Sequence, residues 1–170
     1  MENSDQEPPK RASIPLWVGF VLALLVWEAI PWTLSLLTPR FGWAAGRPGP
    51  WSMLGLIPVA IGTTGLLWGL LQHSAQTPQQ LDWEPSKNYL LRDGLYRFSR
   101  NPMYLSELIL MFGWVIFYSS GAVLLGFIAW WAFFNFYQVP AEERMLEASL
   151  GESYNEYKNE VPRWIGKFRR

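Results

Sequence analysis

The sequence predicts an all-α polytopic membrane protein, with about four transmembrane helices and a C-terminal amphipathic helix on the cytosolic side. Three observations lead there. Half of the 170 residues are hydrophobic and only 16% are charged. Four apolar runs approach or exceed the ~20 residues that cross the ~30 Å hydrocarbon core of a bilayer, and none has a clear polar face. The charges fall in blocks between and after these runs.

Residues 1–13 are polar, contain proline and lack periodicity, so they are expected to form a disordered tail. Lys10 and Arg11 precede the first apolar run, Leu16–Leu37. That run is too long for a signal peptide and is followed by no small-residue cleavage pattern, so it reads as a retained first span. Trp51–Leu71 is the second span, and residues 14–72 hold this pair. The chain from 73 to 170 carries a polar loop, a membrane hairpin and the C-terminal helix. In that hairpin Pro102–Tyr118 is slightly short, which tilt can absorb, and Gly121–Val139 is adequate. Ser119-Ser120-Gly121 between them is a tight helical turn. Pro140 is expected to kink or restart the helix as the chain leaves the membrane. Leu146, Leu150, Tyr154 and Tyr157 recur at helical spacing, predicting one amphipathic helix over Ala141–Asn159. Gly151 interrupts it, and a close approach by another group would explain a glycine there. Pro162 ends it.

Four spans put both termini and the 72–101 loop on one side. That side holds Lys10, Arg11, Lys87, Arg92, Arg97, Arg100, Arg144, Lys158, Arg163, Lys167, Arg169 and Arg170, against Arg40 and Arg47 opposite. The positive-inside rule makes it the cytosolic side. Tryptophans 17, 32, 43, 51, 83 and 164 lie near span ends, as an interfacial belt requires. Gly65 and Gly69 form a small-xxx-small pair in the second span, which serves either packing within the chain or a homodimer.

Composition removes several function classes. The formal net charge is zero, so there is no basic field for nucleic acid. No cysteine and a single histidine leave no thiolate site, no cysteine nucleophile and no protein-only zinc site.

The chemistry gathers around the membrane hairpin. In Arg100-Asn101-Pro102-Met103-Tyr104, Asn101 suits an N-cap and Pro102 the first helical position. That is a well-made helix start; it is also an anion site, because free N–H groups and Arg92, Arg97 and Arg100 surround it. Glu142 and Glu143 follow Pro140. They either complement a helix dipole or accept hydrogen bonds from ribose hydroxyls or an ammonium group. Arg163 is either a solvated or lipid-phosphate-contacting charge or a pocket cation. Glu107, one turn into the third span, is near enough for substrate binding, whereas Glu28 lies toward the far side and is expected either to pair structurally or to mark a displaced span boundary. His73 is read as interfacial.

These pieces, with Gly94-Leu95-Tyr96, Leu146, Gly151, Tyr154, Tyr157 and Val161-Pro162-Arg163-Trp164, come in an order and spacing that resembles a known family over Gly94 to Trp164. It is the integral-membrane methyltransferases that include isoprenylcysteine carboxyl methyltransferases and phospholipid N-methyltransferases. The resemblance implies S-adenosyl-L-methionine in a cytosol-facing pocket, touched by Gly94, Tyr96, Arg100, Asn101, Pro102, Tyr104, Glu142 and Glu143. It implies catalytic roles for Arg163, Glu143 and Tyr157, with Arg163 and Tyr157 closer to the substrate head group. It makes residues 73–170 the catalytic half. Many members carry histidine where this chain has Asn101, and asparagine cannot titrate near neutrality. The acceptor it implies is lipophilic or membrane-partitioned: an isoprenoid carboxylate, a phospholipid amine or a thiol. No Rossmann glycine fingerprint is present, so the fold is not that of soluble methyltransferases. Two other readings stand beside this one: a membrane reductase of sterol-reductase type using NADPH, and a non-catalytic membrane scaffold.

Overall fold

The computed structural model describes residues 16–76 and 90–165. The expected tail, Lys87, Trp83 and the basic residues after Ile165 lie outside them, as does the side chain of His73. Helix α1 spans Leu16–Ser35, with Pro31 fully buried inside it. A two-residue antiparallel hairpin follows, β1 (Trp43–Ala44) and β2 (Arg47–Pro48). Its turn residues Ala45 and Gly46 both have positive φ, which suits the twist of a tight hairpin. The expected second span is a short helix, α2 (Pro50–Met53), running into α3 (Leu56–Gln76).

Helix α4 (Pro102–Tyr118) has the predicted bounds, with Pro102 in its first turn. Ser119 takes the left-handed conformation (φ 46°) and Ser120 starts α5 (Gly121–Phe133), as the tight-turn reading required. The cap for α5 comes from far away in sequence. Thr38 Oγ1 accepts the Ala122 N–H at 3.1 Å and lies 2.7 Å from Ser120 Oγ.

Two expectations are corrected in the C-terminal part. Of the kink or restart expected at Pro140, the restart does not occur. A π-turn over Phe134–Gln138 joins α5 to α6 (Val139–Leu150), with the Val139 N–H bonded to Phe134 O. The wider turn takes up the residue whose missing N–H and ring would disrupt a regular helix. The single amphipathic helix over Ala141–Asn159 is also two helices, α6 and α7 (Glu152–Glu160). They meet at Gly151, whose φ of +56° is open to glycine; a Cβ there would have nothing within 4 Å, so backbone conformation, not a close approach, explains this glycine.

By length and composition, Pro50–Gln72 and Gly121–Leu150 can each cross a membrane, and α4 is a shorter apolar helix. The outward surface is apolar: Leu25, Leu71, Leu125 and Phe136 are 61–71% exposed. A surface of this kind is suited to hydrocarbon.

Helix α3 lies along α4 over most of its length, and glycines make the seam. A Cβ at Gly62 would fall 2.5 Å from Leu110 N and Ser106 O, and one at Gly113 would fall 2.6 Å from Val59 N. Gly65 and Gly69 face Ser106 and Met103 in the same seam, so their close approach is to α4 of the same chain. Gly62→Ala is therefore expected to push the helices apart and cost about 1–3 kcal/mol, as overpacking does. Thermal unfolding in detergent would read this as a lowered midpoint.

Candidate functional site

Beyond the hairpin turn the predicted residues converge at the opposite end of α4. The segment entering α4 is fixed by the segment leaving α7. Arg100 N–H donates to Pro162 O at 3.0 Å. Ser99 Oγ and Asn101 Nδ2 both donate to Arg163 O, at 3.1 and 3.2 Å. Asn101 sits at the N-cap of α4 but makes no capping bond with its side chain, contrary to expectation. Its backbone N–H goes to Ser99 Oγ at 3.1 Å. The N–H groups of Arg100 and Asn101 are thus taken by the chain itself and are not offered to an anion.

Glu143 is 5% exposed and stands between two arginines. Oε1 lies 3.0 Å from Arg100 Nη1 and accepts from Arg163 Nε at 3.2 Å; Oε2 accepts from Arg163 Nη2 at 2.5 Å. Both carboxylate oxygens are engaged, and the trio carries one net positive charge. Arg163 remains one-third exposed at the side chain, whereas the Arg100 side chain is 8% exposed.

Glu142, the neighbouring acid, has a different setting. Because α5, the π-turn and α6 are continuous, there is no free helix N-terminus for either acid to cap. Glu142 is half-buried and accepts the Tyr104 hydroxyl at 3.0 Å on Oε1. Gln138 Nε2 donates to the same Tyr104 oxygen at 3.3 Å. The Tyr104 ring rests on Phe134 with centroids 4.6 Å apart. A negative, partly open group thus adjoins the positive trio.

The 3₁₀ turn Gly94–Arg97 and α7 close the arrangement from above. Tyr154, Tyr157 and Val161 pack with Leu90, Leu146 and Leu150. Tyr157 Oη donates to Tyr96 O at 2.7 Å, and Arg92 bonds Ser153 through its carbonyl and, at 2.9 Å, its hydroxyl. Burial first, then the Glu142 charge, pushes the Tyr96 phenol up to about 12. Burial and then the neighbouring Tyr96 and Tyr154 push Tyr157 up as well. Both phenols are neutral near pH 7, and Tyr157 directs its proton to a carbonyl. Gly94 has φ +61°, and Gln72 packs where its Cβ would be, donating to Asp93 O at 2.6 Å.

Glu107 is 8% exposed within α4 and accepts from Trp130 Nε1 at 2.7 Å; Trp130 in turn meets Trp27 edge-on at 5.1 Å. It links α4, α5 and α1 beneath the Tyr104 network. Glu28 is exposed on α1.

Sequence reading missed Ser99, Gln138, Asn135 and Gln72. Asn135 accepts from Trp164 Nε1 at 3.2 Å and so ties the C-terminal strap to the π-turn. The signal for two of them was present: Asn135 and Gln138 are the polar residues of an otherwise apolar run, and Gln138 lies four residues before Glu142.

The model of the family described as phospholipid methyltransferase matches residues 51–153, more than half of the chain. The match begins at α2, well before Gly94, and stops short of Val161–Trp164. An uncharacterized protein of Haemophilus influenzae is 35% identical over 63 residues, which make up 37% of this chain and the whole of that protein.

Proposed function

The chain belongs to the phospholipid methyltransferase family, and from that premise we propose that it transfers a methyl group from S-adenosyl-L-methionine to a lipophilic or membrane-partitioned acceptor at the cytosolic membrane face. The acceptor is an isoprenoid carboxylate, a phospholipid amine or a thiol. Four spans, with both termini in the cytosol, complete this reading.

The observation that carries it is the bipolar character of the polar cluster. Arg100, Arg163 and Glu143 sum to a positive lobe, and Glu142 with Tyr104 makes a negative one beside it. These lobes fit the zwitterionic amino-acid end of the cofactor. Glu142 keeps one carboxylate oxygen with no hydrogen-bond partner among the described residues, and Arg163 is partly exposed. When bound, the cofactor supplies an electrophilic methyl on a sulfonium. The protein's work is then to orient and to exclude water. Glu142 binds the ammonium group, Arg163 binds the carboxylate, and the Tyr96 and Tyr104 rings wall the site. Phe134 and Leu108 keep its floor dry. Tyr96 and Tyr157, held neutral, contribute hydrogen bonds and no base. Positioning of this kind accounts for ~7–11 kcal/mol of barrier reduction.

Calorimetric titration of the detergent-solubilised protein with S-adenosylhomocysteine, with NADPH as comparison, tests the reading. Saturable binding of the first and none of the second is expected. NADPH binding alone moves the chain to the reductases. Binding of neither by folded protein overturns the methyltransferase reading in favour of a scaffold.

A further inference from the structure

The Tyr104 hydroxyl has one hydrogen and two neighbours. Gln138 Nε2 points a hydrogen at its oxygen from 3.3 Å, and Glu142 Oε1 lies 3.0 Å away on the other side. A phenol that accepts from an amide has its own hydrogen turned away from that amide, here onto the carboxylate. Glu142 Oε1 is thereby satisfied, leaving Oε2 as the atom without a partner among the described residues.

Gln138 owes its place to the π-turn, of which it is the last residue. The extra residue in such a turn advances the helix beyond it by about 100°, one residue's share of a 3.6-residue turn. This phase sets Gln138 and Glu142 together on the face toward Tyr104, while Glu143 meets the arginines. Phe134, the first residue of the turn, and Val139, the residue after it, are buried against Leu108 and keep it in register.

We propose that Gln138 is a positioning residue of the ligand site that acts through Tyr104. By fixing the direction of the phenol hydrogen, it makes Glu142 present one oxygen, ionised, to the ammonium group or hydroxyls of a bound ligand. The inference rests on the reading of Glu142 as a cofactor contact. It adds that the contact is set by a relay beginning in the π-turn.

The test is a double-mutant cycle on the full chain, with S-adenosylhomocysteine affinity as the readout and the thermal midpoint as the fold control. Gln138→Ala removes one neutral hydrogen bond and is expected to weaken binding about 3- to 10-fold. In a Tyr104→Phe background the same change is expected to have no further effect. Gln138→Glu keeps the shape but replaces the donor with an acceptor, so two carboxylates compete for one hydrogen. It is expected to weaken binding more than alanine does, whereas a packing role would tolerate it. Additive losses in the cycle, or full affinity in Gln138→Glu, overturn the relay while leaving the cofactor reading intact. Wild-type protein that binds no S-adenosylhomocysteine overturns both.

Discussion

Glu143→Ala is expected to destabilise the protein by about 3–5 kcal/mol, the cost of stranding buried charge by removing its partner. The Arg100 side chain is 8% exposed, and its Nε has no hydrogen-bond partner among the described residues. Without Glu143 neither Arg100 nor Arg163 keeps an ion-pair partner among the described residues. Arg163 would lose both of its ionic hydrogen bonds, and with them the side-chain tie between the C-terminal strap and α6. The expected observation is a large drop in folded, detergent-soluble protein, measured by size exclusion and thermal unfolding. Glu143→Gln keeps acceptors in place and should fall between. Alanine protein with a wild-type midpoint would show that the trio does not hold the fold.

Glu142→Gln is expected to do the reverse. The side chain keeps its shape and its hydrogen bond from Tyr104, and α6 continues unbroken through it. Stability should be nearly unchanged. What disappears is the negative charge of a partly open group, and a charge-assisted hydrogen bond is worth about 1.5–3 kcal/mol. Binding of S-adenosylhomocysteine should weaken roughly 10- to 100-fold by that measure. Unchanged affinity would remove Glu142 from the ligand site. Two adjacent, chemically identical residues are thus expected to separate cleanly, one governing folding and the other binding.

That separation could not be read from the sequence, and the reason is helical phase. Glu142 and Glu143 point about 100° apart, and which faces Tyr104 depends on the helix before them. Phe134–Gln138 contains no glycine or other marker of a π-turn, so counting in steps of 3.6 residues runs out of register there. Hydropathy was more dependable. The bounds of α4, the Ser119–Ser120 turn and Pro102 at the helix start were all legible, because each depends on a local rule. Gly151 was legible as an anomaly but not as a break, since a glycine in a helix and a glycine between helices look alike. Asn101 illustrates a different limit. Its residue type fits a cap, yet the carbonyl of Arg163, brought up from 62 positions away, takes its side chain. Long-range backbone partners leave no trace in local spacing.

The glycine seam between α3 and α4 also has a mechanical meaning. Backbone touches backbone there, at Gly62 against Leu110 and at Gly113 against Val59, so neither helix can slide or part without losing contact along its length. The two behave as a single rigid plate. The opposite side of α4 meets α5 and the π-turn through side chains, Phe112 on Phe127, Glu107 on Trp130 and Tyr104 on Phe134. Side chains can swing between rotamers while a glycine seam cannot. The side of α4 that has freedom to rearrange is therefore the aromatic one, with the α3–α4 plate as its fixed frame.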